Sequence, residues 1–247
     1  MLMLSRAAEV KRDGLRGILT PDQTATWRPV PHSEVVDVLT ERAAARGLRI
    51  ASERFATMPG HLRVGNVSVD LPGGRMFGAL DFEAVPGVDF PSGCVPSMGI
   101  RNSHDKEYAL SVLSGARVLI CANGVLMAEH IITRKHTGRL DLVNSVDDAL
   151  NAFMASAQGF GRLHEVLSSR RLGKFEADSL GVDLVREGAF AASDLLPVLE
   201  EFERPSHPEF EGRSAWSLYN AATGRMQKQS PARQTDGFRA LNKVMLG

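Results

Sequence analysis

The stretch Asn144-Ser-Val-Asp-Asp-Ala-Leu-Asn-Ala-Phe153 is where the hydrophobic period of the chain changes. From here Val146, Leu150, Phe153, Ala157, Phe160, Leu163 and Leu167 recur every three or four residues, which lays one apolar stripe along a long helix. Ser145, with Asp148 three residues on, predicts a capping-box-like start. Gly159 and Gly161 weaken this helix locally, each by about 1 kcal/mol relative to Ala. Upstream, short alternating or apolar segments are separated by Gly and Pro: 48–55, 62–71, 76–85, 95–100, 117–121 and 125–133. Pro72-Gly-Gly74 reads as the hairpin turn between two of them. A first helix opens at His32 or Ser33, carries Val35, Val36, Leu39 and Ala43 on one face, and ends at Gly47. Further helical pieces are expected at 194–202, 214–226 and 237–246. Strands first and helices after predict an α+β fold. The expected architecture is a single domain over 32–247, mainly an antiparallel sheet backed by the long helix with further C-terminal helices. Residues 1–31, with Pro21, Pro29, Pro31 and an exposed-looking Trp27, read as an irregular N-terminal segment.

The composition is that of an ordinary globular chain. Its 247 residues carry 29 Lys and Arg against 29 Asp and Glu, with 43% apolar and 23% charged residues. This excludes a disordered, collagen-like or coiled-coil chain and a histone-like basic binder. Cys94 and Cys121 have no zinc-site spacing, and Cys121 sits in an apolar run that predicts a buried thiol. The apolar stretch at the N-terminus is too short for a signal peptide. No run approaches the ~18 apolar residues that span a bilayer, so the expected location is the cytoplasm and no membrane partner is expected. Charge is uneven: residues 175–211 sum to −8 and residues 212–247 to +5.

The densest polar cluster is Arg101-Asn-Ser-His-Asp-Lys106, and about thirty residues later comes Arg134-Lys-His-Thr-Gly138. Together with Arg117-Val-Leu-Ile-Cys-Ala-Asn123 and Trp216-Ser-Leu-Tyr-Asn220, these motifs resemble the "phage/plasmid-like protein" domain-of-unknown-function family of phages, plasmids and bacterial genomes. The resemblance spans roughly residues 30–247. It is good around Asn102, Asp105 and His136 and looser at His104 and Glu107. It implies work on or near the DNA of mobile elements, and names no activity.

Read physically, the same residues support three classes of function. Arg101, Lys106, Arg134 and Lys135 would neutralise phosphates, with Tyr108, Trp216 and Tyr219 offering rings on which bases stack. That makes a nucleic-acid-binding protein, one that binds or anneals single strands, the first expectation, a binder rather than an enzyme. The second is a small hydrolase or nuclease using Asn102, His104, Asp105 and His136 as acid, base and carboxylate. The third is a factor that inhibits a host protein through the acidic stretch 175–211. Asp81 and Glu83 alternate on one strand and, with Asp105, could hold Mg²⁺; an exposed strand face is the simpler reading. No cofactor or tightly held metal is expected, and self-association into a homo-oligomer is compatible with every class. The two polar motifs are expected to be neighbours, with Asn102 or Asp105 in hydrogen-bond range of Arg134, Lys135 or His136.

Overall fold

The computed structural model describes residues 7–90, 94–118, 126–226, 229 and 231–247. Among these residues the chain is α+β, with one antiparallel sheet whose strands follow chain order. They are β1 (Ala8–Val10), β2 (Ile50–Val64), β3 (Val67–Phe82), β4 (Cys94–Ser103), β5 (Leu110–Val118) and β6 (Leu126–Arg134). Two helices precede β2: α1 (Arg12–Arg16) and α2 (His32–Ala44). Five follow β6: α3 (Leu142–Ser169), α4 (Lys174–Arg186), α5 (Leu195–Glu203), α6 (Ala215–Met226) and α7 (Pro231–Leu246). A meander of this kind needs only short connections, so sequence neighbours become sheet neighbours.

Two features of β2 and β3 depart from the sequence reading. The three segments expected between 48 and 85 are two long strands, joined by a two-residue connection at Gly65-Asn66, with Val64 paired to Val67. Gly65 has φ +61, a conformation that suits the first central position of a tight hairpin. Pro72-Gly-Gly74 is therefore not the hairpin turn. It is a bulge inside β3: Met58 pairs with Arg75 and Gly60 with Leu71, so Pro59 alone faces Pro72, Gly73 and Gly74. Proline brings no N–H to the ladder and Gly73 takes φ +73, so the backbone bends out of register there. The carbonyls of Gly73 and Gly74 become acceptors for groups outside the ladder.

The long helix α3 starts one turn earlier than the Ser145 capping-box reading. Asp141 is its N-cap, accepting the Asn144 N–H at 3.0 Å, and the Ser145 hydroxyl donates to the Asp141 carbonyl at 2.5 Å. Its first half, to Ala157, packs with α2 and the inner sheet face around Phe82, Met98 and Ile100. Its second half, Phe160 to Leu167, packs with α4–α7 around Leu184, Phe202, Leu218 and Leu241. Phe90 touches both cores, and α3 is the spine common to them.

The segment before His32 is not irregular throughout. β1 pairs with β2 through Val10 and Phe55, and Leu15 of α1 is buried in the sheet core. Trp27, expected to be exposed, is buried against Leu62 and Leu71 and is covered by the Lys106 ammonium 4.8 Å above its ring. Cys121 lies outside the described residues. The Cys94 thiol is half-buried, and desolvation pushes its pKa up to about 11.

Candidate functional site

Alternate residues of β4 point to opposite faces of the sheet, and the two motifs of the sequence meet at this end of it. Asn102 faces inward with Met76 of β3, whereas Arg101 faces outward with Phe77. Each face carries its own polar group.

The inner group is buried. Asn102 and His104 have 0% exposure, His32 at the start of α2 has 1%, and His136 has 5%. The His32 and His104 rings stack at 3.9 Å with 7° between their planes. Asn102 Nδ2 donates to the Val30 carbonyl and to His32 Nδ1, both at 2.8 Å. A carbonyl can only accept, so the amide must present its nitrogen there, and His32 Nδ1 must be the unprotonated nitrogen. The His32 proton then sits on Nε2 and is donated to the Gly73 carbonyl of the bulge at 3.1 Å. His104 has a carbonyl at each nitrogen: Leu19 at 3.1 Å from Nδ1 and Val30 at 3.0 Å from Nε2. Its backbone N–H goes to the Gly74 carbonyl at 2.7 Å. A neutral imidazole has one N–H, so the His104 ring donates to only one of these two carbonyls, and that of Val30 also accepts from Asn102. Among the described residues, Asn102 Oδ1 and both His136 nitrogens make no hydrogen bond of good geometry. Burial is the main force that holds these rings neutral: with repulsion from His104 and His136 it pulls His32 down to about 3, with repulsion from His104 it lowers His136, and it lowers His104 against the hydrogen bonds to Val30 and Leu19.

The outer group is charged. The Arg101 guanidinium lies 4.8 Å from the centre of the Tyr108 ring, and that of Arg75 lies 5.6 Å from it. Arg75 is neutralised by Asp105 at 2.5 Å, with Glu107 further off at 3.8 Å. Arg101 has no carboxylate within ion-pair distance among the described residues; Nη2 reaches the Ser111 hydroxyl at 3.3 Å, and its buried Nε has no partner. Desolvation lowers the Arg101 pKa, the signature of a cation short of a counter-charge. Nearby on the same face, Arg54 reaches Asp81 only at 3.9 Å and keeps one buried Nη without a hydrogen bond. The loop between β4 and β5 fixes the outer group. Asp105 accepts the Glu107 N–H at 3.1 Å, which holds Lys106 at φ +65. The Ser103 hydroxyl accepts the Tyr108 N–H and donates to its carbonyl, both at 3.0 Å.

The remaining expected residues divide clearly. Arg134 and Lys135 lie at the same end of the sheet, beside a cavity of about 380 Å³ shared with Arg139 and the first turn of α3. Arg134 is paired with Asp148 at 2.9 Å, and Lys135 is exposed. The two motifs converge, since His136 is close enough to repel charge on His32, but no described hydrogen bond joins Asn102 or Asp105 to residues 134–136. Asp105 is taken by Arg75 instead. Trp216 and Tyr219 are 6% and 1% exposed in the helical core, stacked on each other at 5.8 Å. Packing, not base stacking, accounts for both. The Mg²⁺ arrangement does not form. Asp81 is buried and accepts from Ser52 and Ser97, Glu83 is on the surface with Arg49, and Asp105 sits beside Arg75, in the middle of β3. Among the described residues, no group of three or more His, Cys, Asp or Glu is disposed to hold a metal ion. Most acids of 175–211 with a described partner bond locally, as Glu201 does with Ser206; Glu187 alone pairs with the basic tail, through Lys243 at 2.6 Å. Sequence reading missed His32 and Arg75. His32 was legible only as the residue that opens a helix after Pro31.

No helix among the described residues is long and apolar enough to cross a membrane. No curated protein and no solved structure matches the chain. One family does: its match runs over residues 92–245, from the start of β4 to the end of α7, and so takes in both polar motifs and the whole helical core. The chain belongs to the family described as Domain of unknown function (DUF932).

Proposed function

We propose that this protein binds single-stranded nucleic acid on the outer sheet face at the β4–β5 end, as a non-enzymatic cytoplasmic component of a phage- or plasmid-type element. The observation that carries the reading is Arg101: a half-buried guanidinium with no carboxylate partner among the described residues, its Cζ 4.8 Å from the centre of the Tyr108 ring. Such a group is prepared for an anion, and its planar surface stacks on bases as well as on the tyrosine. Arg54, held to Asp81 only at 3.9 Å, is on the same face, and Lys135 is exposed at the same end of the sheet. Phosphate contacts provide most sequence-independent affinity, so a local set of cations suffices in a chain of zero net charge. The hydrolase reading finds less support, because Asn102 and His104 spend their polar groups on backbone carbonyls inside the core.

The test is fluorescence anisotropy with a labelled oligonucleotide at low and moderate salt. With about four phosphates neutralised, log affinity falls with log salt at a slope of about −3. Arg101→Gln, checked for folding by circular dichroism, weakens binding by about tenfold, as expected for a hydrogen bond to a charged group. Absence of binding at low salt, or an unchanged affinity in folded Arg101→Gln, removes nucleic acid as the ligand. Degradation of the oligonucleotide turns attention to Asp105 and His136.

A further inference from the structure

A second cavity lies in the helical half, far along the chain from the sheet-end residues. It has a volume of about 220 Å³ and opens between the turn at Pro208–Phe210 and one face of α6. That face is made by Ser217, Asn220, Ala221 and Gly224, at spacings of three, four and seven residues, so that small and polar groups stand where a buried helix ordinarily places large apolar ones. The opposite side of α6 is ordinary core, with Leu218, Ala222 and Met226. The packing deficit on one side is the cavity.

Ser217 is engaged with the Ser214 hydroxyl at 3.2 Å, but other polar groups around the cavity are under-used. Ser217 and Asn220 are 3% and 4% exposed. Asn220 donates one side-chain N–H to the Trp216 carbonyl at 2.8 Å, and its second side-chain N–H and its Oδ1 have no partner among the described residues. Arg225 has neither an ion pair nor a hydrogen bond among the described residues, and the His207 ring makes only an edge contact with Phe210. Glu201, the one carboxylate among the described lining residues, is already held by the Ser206 N–H at 2.8 Å and the Ser206 hydroxyl at 2.9 Å. Donors therefore outnumber acceptors: a guanidinium, an amide N–H and an imidazole converge without a counterpart.

We propose that this cavity is a binding site for a small carboxylate ligand. Arg225 supplies the bidentate charge contact, and Asn220 and His207 supply the directional hydrogen bonds. Glu201 at the wall disfavours a dianion, which selects a monocarboxylate over inorganic phosphate. The site is separate from the nucleic-acid surface and does not depend on it.

The test is thermal unfolding of the whole chain at fixed ionic strength with sodium acetate, sodium phosphate or sodium chloride at tens of millimolar. Acetate raises Tm by about 2–4 °C over chloride if it reaches about ten times its Kd, phosphate does so less, Arg225→Gln abolishes the acetate shift, and Arg101→Gln keeps it. Should Arg225→Gln fold poorly, Ala221→Leu fills the cavity from α6 without touching a charge and abolishes the same shift. No difference between acetate and chloride in the wild type, or an equal acetate shift in folded Arg225→Gln or Ala221→Leu, overturns the proposal. A phosphate shift larger than that of acetate overturns the selectivity assigned to Glu201.

Discussion

Residues 102 and 104 of the chain and residues 101 and 105 are next to one another in sequence, and their chemistry in the fold is opposite. The inner pair is wholly buried, neutral and bonded to backbone carbonyls of Leu19 and Val30. The outer pair meets an arginine and a tyrosine, and one of its two charges, Arg101, is left without a counter-charge among the described residues. A single polar motif has thus been divided by the period of a strand into a structural clasp and a charged surface. The clasp ties the segment 19–30 and α2 to the bulge of β3. The surface is what remains available to a ligand. The difference teaches that density of catalytic residue types in a sequence is not evidence of one site: where alternate residues face apart, half of the set is spent on the fold.

The strongest way to break this division is to charge the clasp. Asn102→Asp puts an acceptor against the Val30 carbonyl and a carboxylate among rings that burial holds neutral. An uncompensated buried charge of this kind costs about 3–5 kcal/mol, read by urea denaturation at pH 7. Arg101→Gln, one residue away, costs about 1 kcal/mol or less, the scale of a lost cation–π contact. Similar losses for the two variants would mean that β4 does not separate two environments.

Acid is the second way. His32, His104 and His136 all have pKa values lowered in the fold, mainly by burial. The unfolded chain therefore binds more protons below its own histidine pKa, and stability falls as pH drops. The contribution is fully present above about pH 6.5 and is lost progressively below it, continuing towards pH 3 for His32. Each histidine that stays neutral in the native state removes about 1.4 kcal/mol per pH unit in that window. Denaturant melts between pH 7 and 5 should show this slope in the wild type and in Arg101→Gln, and a shallower one in His136→Phe. A stability that is flat over this range would show that the rings are charged or solvated in the native state.

The outer group is held by a close approach that admits no side chain. A Cβ placed on Gly60 would lie 2.7 Å from Asp105 Oδ2 and 3.0 Å from its Cγ. Gly60→Ala must push the carboxylate away from Arg75 or move β2, at a cost of about 1–3 kcal/mol. Freeing Arg75 from Asp105 also adds a cation to the outer face, so oligonucleotide binding should strengthen while stability falls. Weaker binding in a folded Gly60→Ala would place the ligand elsewhere.

How much of this was legible in the sequence follows from the range of the signals. Helices α2 and α3 announce themselves because Val35, Val36 and Leu39, and Val146, Leu150 and Phe153, recur within one or two turns, and all are buried as the spacing requires. β1 and α1, at three and five residues, are too short to show a period. α4 escaped notice because Gly181 sits inside it; the glycine admits Leu195, whose Cδ1 would lie 2.8 Å from a Cβ there. Pro72-Gly-Gly74 carries the cues of a turn, and a bulge uses the same residues for the same backbone reasons. The site was half legible. That 101–106 and 134–136 would meet follows from strand ends lying together in a meander. That Asn102 and Arg101 part company needs the register with β3, and the role of His32 needs a contact across 70 residues, which no local pattern encodes.

The mildest prediction bears on the rim of the outer surface. Arg134→Ala combined with Lys135→Ala removes one exposed ion pair with Asp148 and one exposed lysine. Neither side chain contributes to the clasp, so stability should change by less than about 0.5 kcal/mol. If both cations contact phosphates, the salt slope becomes shallower by about 1.4, at about 0.7 per contact on a single strand. Because Asp148 competes for Arg134, a change of about 0.7 would assign the contact to Lys135 alone, and Asp148→Asn should then strengthen binding by releasing the arginine. An unchanged slope in the double variant, with binding still lost in Arg101→Gln, would confine the ligand to the face of β3, β4 and β5 and exclude the strand-to-helix corner.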